Sequence, residues 1–282
     1  GTMTVAALYF GLRFIAAGNP RKLILAALCA GAAALTRATP GFGALIGVGL
    51  LAAVAVIKAY RASAPSTERT KLNLAVGLVV IGGLLPFAYN LIRFDSATRL
   101  PYDKHTDVAG WRIEITRDGS FQAVNVIPNA KAYFDPTQIG FREGFPHFHL
   151  RQFRERAGAR LEHAEAHAGV TAFMTGLVLL AAMGAYVLLL RIELYPLILG
   201  GMATFGALLA FTAVAHRYAH DLVGLGLLGS TAGALWLSGR DGRSGAIARA
   251  AVTVLLALGV WQSLAFTHYE LEWLKKWMEM KP

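Results

Sequence analysis

Three stretches set charged or hydrogen-bonding side chains directly against long apolar blocks: Thr36-Arg37, Tyr89-Asn90-Leu91-Ile92-Arg93-Phe94-Asp95 and His216-Arg217-Tyr218-Ala219-His220-Asp221. A charge at the edge of lipid is costly to hold, so such a place marks either function or anchoring. Guanidinium groups stay ionised in any environment and grip phosphate oxygens through paired N–H bonds. Arg37, Arg93 and Arg217 beside an apolar groove therefore suit the phosphate of a lipid-linked substrate. They suit snorkelling to headgroup phosphates as well. Asp221 follows Arg217 by four residues, so on a helix the two share a face and can pair, which would be a merely structural role.

Two other clusters have ligand-like chemistry. His163 and His167 lie one helical turn apart with Glu162 and Glu165 beside them, which is metal-ligand spacing, and Asp103-Lys104-His105-Thr106-Asp107 could add oxygens or an imidazole for a divalent metal. Two ligands alone make a weak zinc site, and a solvated ionic helix explains the same residues, so no cofactor is firm. His147 and His149 flank Phe148 where an interfacial aromatic belt is expected. The one cysteine, Cys29, lies in an apolar block and excludes an intrachain disulfide.

The elements that must position these residues are membrane helices. Hydrophobic residues make up 55% of the 282 and charged ones 16%, with a mean hydropathy of +0.48. Soluble domains carry about a quarter charged residues. The apolar residues arrive in blocks near the ~20 residues that cross a ~30 Å hydrocarbon core. The blocks are 3–17, 23–36, 41–59, 72–92, 169–190, 194–215, 222–237 and 247–266, with Pro86 expected to kink or loosen the end of the fourth. The fold class expected is an all-α polytopic membrane protein of about eight transmembrane helices. It divides into first membrane helices over 3–92, a hydrophilic loop over 93–168, last membrane helices over 169–266 and an interfacial C-terminal segment over 267–282.

Alternating the blocks puts Arg21, Lys22, Lys58, Arg61, Arg69, Lys71, Arg191, Arg240, Arg243 and Arg249 on one side, which the positive-inside rule makes cytoplasmic. The three polar stretches and the 93–168 loop then fall on the extracytoplasmic face of a plasma (inner) membrane. The net charge of +10 follows from these cytoplasmic residues and from anionic lipid contact, and no basic run with interleaved aromatics points to nucleic acid. Within the loop, Trp111–Thr116 and Phe121–Val126 alternate apolar and polar residues around Arg117-Asp118-Gly119, which predicts a small β-hairpin. The spacing of Phe148, Leu150, Phe153, Ala157 and Leu161 predicts an interfacial helix over 148–168.

Arg217-Tyr218-Ala219-His220-Asp221-Leu222 resembles the Arg-Tyr-x-x-Asp-Leu signature that precedes a late membrane helix in the GT-C superfamily of bacterial polytopic glycosyltransferases. Gly31-Ala32-Ala33-Ala34-Leu35-Thr36-Arg37-Ala38-Thr39 is similar to that family's Gly-Leu-Ala-x-Leu-Thr-Arg-Pro-Thr stretch, and Tyr89-Asn90-Leu91-Ile92-Arg93-Phe94-Asp95-Ser96 to its Tyr-Asn-x-x-Arg-Phe-Gly-Ser stretch. Ala38 stands where Pro is usual, Asp95 where Gly is usual, and Gly224 where Pro often follows the Asp. The resemblance implies transfer of a sugar from a polyprenyl-phosphate carrier to a lipid, glycan or protein acceptor on the extracytoplasmic face. Arg217 would meet the carrier phosphate, with Tyr218 and Asp221 orienting it and Arg37, Asn90 and Arg93 contributing to the same binding face.

In that family the catalytic carboxylate belongs to the first outer loop. The start Gly1-Thr2-Met3-Thr4-Val5 enters an apolar stretch at once, so the chain reads as cut inside a longer protein with the general base expected upstream of Gly1. Two other classes stay open: a transporter or flippase of lipid-linked glycans, which would need charge near mid-bilayer, and a non-catalytic membrane subunit whose loop docks a partner.

Overall fold

The structure is a computed structural model that describes residues 2–97, 121–135, 139–141, 143–144, 148–150, 170–211, 216–239 and 241–279. These form α1 (Thr2–Ala17), α2 (Pro20–Thr36), α3 (Ala38–Arg61), α4 (Ser66–Phe94), α5 (Val126–Phe134), β1 (Ile139–Phe141), β2 (Phe148–Leu150), α6 (Val170–Leu189), α7 (Tyr195–Ala210), α8 (His216–Ser238) and α9 (Gly242–Glu279). Among the described residues each apolar block is helical, except for Phe211 in the sixth. Among the described residues, four helical stretches are long and apolar enough to cross a membrane: Ala38–Arg61, Ser66–Phe94, Ile192–Ala210 and Gly242–Ala265. Thr2–Ala17 and Thr175–Leu189 are apolar but shorter.

The joints show why the helices turn back where they do. α1 ends at Gly18, whose φ of +65° is open to glycine, and Asn19 then caps α2 by accepting the Arg21 N–H at 3.0 Å, with Pro20 in the first turn. α3 and α4 meet through Ser63 at φ +51° and Pro65, and the joint is braced by Arg69 over the Tyr60 ring and by Asn73 donating to the Tyr60 hydroxyl. α4 runs unbroken through Pro86, which leaves the Gly82 carbonyl without its usual donor.

The interior is built from small residues. Ala7, Ala26, Ala27, Ala30, Ala52 and Ala75 are fully buried, while Leu84, Ile92, Leu235 and Val254 on the outer surface are 61%, 87%, 69% and 65% exposed. Leu23, Val48, Leu180 and Leu208 are buried among them, so large apolar side chains lie both inside and on the outer surface, a distribution compatible with helices that face lipid and pack by close approach. A methyl on Gly82 would lie 2.8 Å from the Gly31 Cα, binding α4 to α2. A methyl on Gly43 would overlap the Thr204 hydroxyl, and one on Gly200 would overlap the Gly43 carbonyl, so α3 and α7 pack backbone to backbone. Gly184, Gly229 and Gly233 make the same kind of seam between α6 and α8, and Gly176 does so against Leu255 of α9.

These contacts orient the helices. α2 and α3 are antiparallel, with Gly41 against Ala33 and Ala34; α3 and α7 are antiparallel, with Gly47 beside Leu197 and Gly43 beside Thr204; α6 and α9 are antiparallel, with Thr175 beside Gln262. One end of the bundle therefore collects Arg21, Lys22, Lys58, Arg61, Arg69, Lys71, Arg191, Arg243 and Arg249 at the helix joints. The opposite end receives both flanks of the long loop.

Four expectations need correction. Phe121–Val126 is not a strand: Phe121 makes one antiparallel bridge to Phe211, Ala123–Asn125 form a 3₁₀ turn and Val126 starts α5. Docking on α7 overrides the local alternation there, whereas Trp111–Thr116 lies outside the described residues. Phe148–Leu150 is a short strand paired with Ile139–Phe141 and not the start of a helix; the rest of the expected interfacial helix lies outside the described residues. The sixth block stops as a helix at Ala210, because Phe211 is drawn into extended backbone (ψ 145°) by its bridge to Phe121.

The last correction concerns the C-terminus. The interfacial segment expected from residue 267 continues α9 as a single helix of 38 residues. Neither glycine nor proline interrupts Thr267–Glu279, the Thr267 hydroxyl donates back to Ser263, and His268 pairs with Glu272 at 3.2 Å across one turn. At 1.5 Å per residue the helix is about 57 Å long, well beyond a hydrocarbon core.

Candidate functional site

At the loop-bearing end, Arg37 is the single residue between α2 and α3. Its φ of −154° breaks the helical path, its N–H donates to Ala33 O at 2.8 Å, and its own carbonyl accepts from Gly41 at 3.1 Å. Pro40 in the first turn of α3 and Gly41 against Ala34 let the second helix start flush on the first. The joint holds Arg37 half-buried at the bundle edge.

The end of α4 is nearby, because Phe87 packs on Phe42 in the first turns of α3 with ring centroids 5.6 Å apart. Asn90 there is half-buried. Arg93 is exposed and donates to the Tyr89 hydroxyl one turn earlier, with its guanidinium 5.8 Å and 5.2 Å from the Tyr89 and Phe94 ring centroids. Cation and rings thus hold one another at the exposed end of α4.

Asp95 closes α4 in the left-handed conformation, φ 57° and ψ 28°, with its N–H on Leu91 O. That is the conformation a glycine would take here, and aspartate is one of the few other residues to adopt it.

Arg217, Tyr218 and Asp221 lie in the first two turns of α8, so the stretch is itself helical and places Arg217 and Asp221 one turn apart. Their side chains lie outside the described residues, as do His163 and His167 entirely. Among the described residues, no group of three or more His, Cys, Asp or Glu could hold a metal ion. The fold thus brings Arg37 at the α2–α3 joint, Asn90 and Arg93 at the end of α4, and the start of α8 to one end of the bundle. No family model, no curated protein and no solved structure matches the chain.

Residues that sequence reasoning passed over stand beside this end. Asn125, Asn129 and Tyr133 recur every four residues and are all fully buried. Asn129 Nδ2 donates to Leu209 O at 2.6 Å and to Phe211 O at 2.7 Å, supplying the carbonyls that the end of α7 leaves without partners. Gln122 N–H donates to Ala210 O at 2.7 Å, and Phe134 and Phe121 pack on Phe205 and Phe211. The loop is thereby clamped to the residues that lead into Arg217. The Asn-Asn-Tyr period was the available signal, hidden by the strand-like alternation that overlaps it.

Among the described residues, the buried polar groups deeper in the bundle are neutral. Thr204 donates to Gly200 O, Ser230 to Leu177 O, and Gln262 exchanges two bonds with Thr175, accepting its N–H at 3.0 Å and donating to its hydroxyl at 2.8 Å. Each is satisfied by a neighbouring helix or by its own, which is how polar side chains tie helices together in lipid.

Proposed function

We propose that this chain forms the membrane part of a glycosyltransferase that takes a sugar from a polyprenyl-phosphate carrier at the extracytoplasmic face of the plasma membrane. The observation that carries the reading is the gathering of three arginine-bearing helix termini, those of Arg37, Arg93 and Arg217, at the end opposite the basic joints. In this reading all eight long helices cross the bilayer, and the basic end is cytoplasmic by the positive-inside rule. The loop and the arginines then face outward.

Arg217 binds the carrier phosphate bidentately, Tyr218 and Asp221 orient it, and Arg37 with Asn90 and Arg93 holds the approach from the lipid. The polyprenyl tail lies against the exposed Leu and Ile side chains of the helices, and the acceptor, a lipid, glycan or protein, comes from the loop side. The neutral, satisfied polar groups described within the bundle, Thr204, Ser230 and Gln262, favour a fixed scaffold over a transporter, which would carry charge near mid-bilayer.

The test is equilibrium binding of radiolabelled undecaprenyl phosphate to the protein in lipid nanodiscs, with the uncharged polyprenol as control. Wild type is expected to prefer the phosphate, and Arg217→Ala to weaken it by roughly tenfold or more, the worth of a charge-assisted bidentate contact. Equal retention of phosphate and polyprenol by wild type would overturn the reading.

A further inference from the structure

The segment that docks on the end of α7 has the polarity of a piece of protein in lipid. Between Phe121 and Phe134 the one charged residue is Lys131. The asparagines point inward: Asn125 and Asn129 are fully buried, with Ala132 and Tyr133 on the same side, whereas Phe121, Val124 and Ile127 are 53%, 53% and 67% exposed. A helix docked in water keeps its polar residues on the outer face. In lipid the arrangement inverts, because amide groups must find partners within the protein while apolar side chains face outward freely. Asn129 does so on the Leu209 and Phe211 carbonyls.

The depth of this segment is fixed by α7. Ile192–Ala210 is long and apolar enough to cross a membrane, and its 19 residues rise about 28 Å, close to a hydrocarbon core of ~30 Å. Ala210 therefore marks the membrane boundary at the loop-bearing end. Gln122 donates to the Ala210 carbonyl at 2.7 Å, which holds the start of the segment at that level. Phe134 packs on Phe205 with ring centroids 5.6 Å apart, and Phe205 lies about 7 Å along α7 from Ala210 towards mid-bilayer. The segment thus enters at the boundary, and its far end reaches below it instead of rising into water. There it adjoins the exposed apolar side of α7, which bears Met202 and Phe205, so the two outward surfaces are continuous.

We infer that Phe121–Phe134 is a lipid-binding surface that anchors the loop: α5 lies within the leaflet at this end, with Phe121, Val124 and Ile127 against acyl chains. The partner is the bilayer itself, bound through apolar area. Lys131 follows Ile127 by one turn, and its four-carbon stem lets the ammonium reach headgroup phosphates while the backbone stays in lipid. The anchor keeps the beginning of the loop on the membrane surface, at the same end of the bundle as Arg37 and Arg93. The inference rests on α7 crossing the bilayer, not on sugar transfer.

Spin labelling tests this on the whole chain in lipid nanodiscs. Cys29→Ala removes the one native cysteine, and Val124→Cys, Ile127→Cys, Met202→Cys and Thr67→Cys then each carry a nitroxide at an exposed position, so the labels leave the packing intact. Collision with oxygen, which concentrates among acyl chains, is compared with collision with a water-soluble nickel chelate. Val124 and Ile127 are expected to give an oxygen-to-nickel ratio several-fold above that of Thr67 in the first turn of α4, and close to that of Met202 on α7. In unlabelled protein, Ile127→Glu is expected to speed proteolysis of the loop several-fold while the helical signal holds, since a carboxylate does not stay among acyl chains.

A nickel-dominated signal at Val124 and Ile127 would put their face in water and overturn the inference. Low collision with both reagents would mean that protein covers the face, and would overturn it equally. A water-like signal at Met202 would remove the span from which the depth is reckoned, and the anchor with it. Cleavage of Ile127→Glu at the wild-type rate would also count against lipid as the partner. None of these readouts involves undecaprenyl phosphate, so the anchor and the glycosyltransferase reading fail separately.

Discussion

Between α6 and α8 the backbone of one helix occupies the space a side chain would fill on the other, whereas between α5 and α7 the contacts described are made largely by side chains. The first seam uses Gly184, Gly229 and Gly233; the second uses Asn129, Phe121 and Phe134. Helices in lipid gain nothing from hiding apolar surface from water, so they cohere by approaching until backbones touch. A loop docking at the end of a helix meets unpartnered carbonyls, so hydrogen bonds and rings decide its position. The two seams should therefore fail differently.

The largest effect is expected at the close-packed seam. Gly184→Leu drives a side chain into Gly229 O and Gly233 N and should cost about 3 kcal/mol or more, read as a lower unfolding midpoint in mixed SDS micelles. A wild-type midpoint for this variant would break the distinction between the seams. Next is Asn129→Ala, which strips two bonds from the end of α7 and should cost roughly 2 kcal/mol, accompanied by faster proteolysis within the loop and an intact helical signal. Loss of helix content instead would mean that the clamp supports the bundle itself.

Smaller still is the polar tie between α6 and α9. A double-mutant cycle of Gln262→Leu with Thr175→Val should give a coupling near ~0.6 kcal/mol, the usual size for such bonds in lipid. Smallest, and opposite in sign, is Gly206→Ala in α7: open space surrounds that glycine, so alanine should stabilise by about 0.5 to 1 kcal/mol through helix propensity. Destabilisation at Gly206 would show that glycine matters there for more than packing room.

The sequence alone determined most of the helices, because composition and block length carry that information locally: among the described residues the eight blocks are helical apart from Phe211, and Gly18, Asn19, Pro20, Pro40 and Pro65 mark joints through backbone chemistry that needs no neighbour. The three polar stretches at the ends of α2 and α4 and the start of α8 were legible for the same reason, as charges abutting apolar blocks.

What tertiary structure decided is whatever depends on a partner far along the chain. Nothing local ends α7 at Ala210 or turns Phe121–Val126 from strand pattern to helix; the bridge between Phe121 and Phe211 and the Asn129 bonds do both. Likewise a glycine reads as a helix weakener in sequence, and only the opposing backbone separates Gly184, where a methyl collides, from Gly206, where it meets open space. The three arginine-bearing termini could be recognised one at a time from their neighbours, but that they share one end of the bundle, beside a clamped loop with two buried carboxamides, follows from helix pairings that no single stretch of sequence contains.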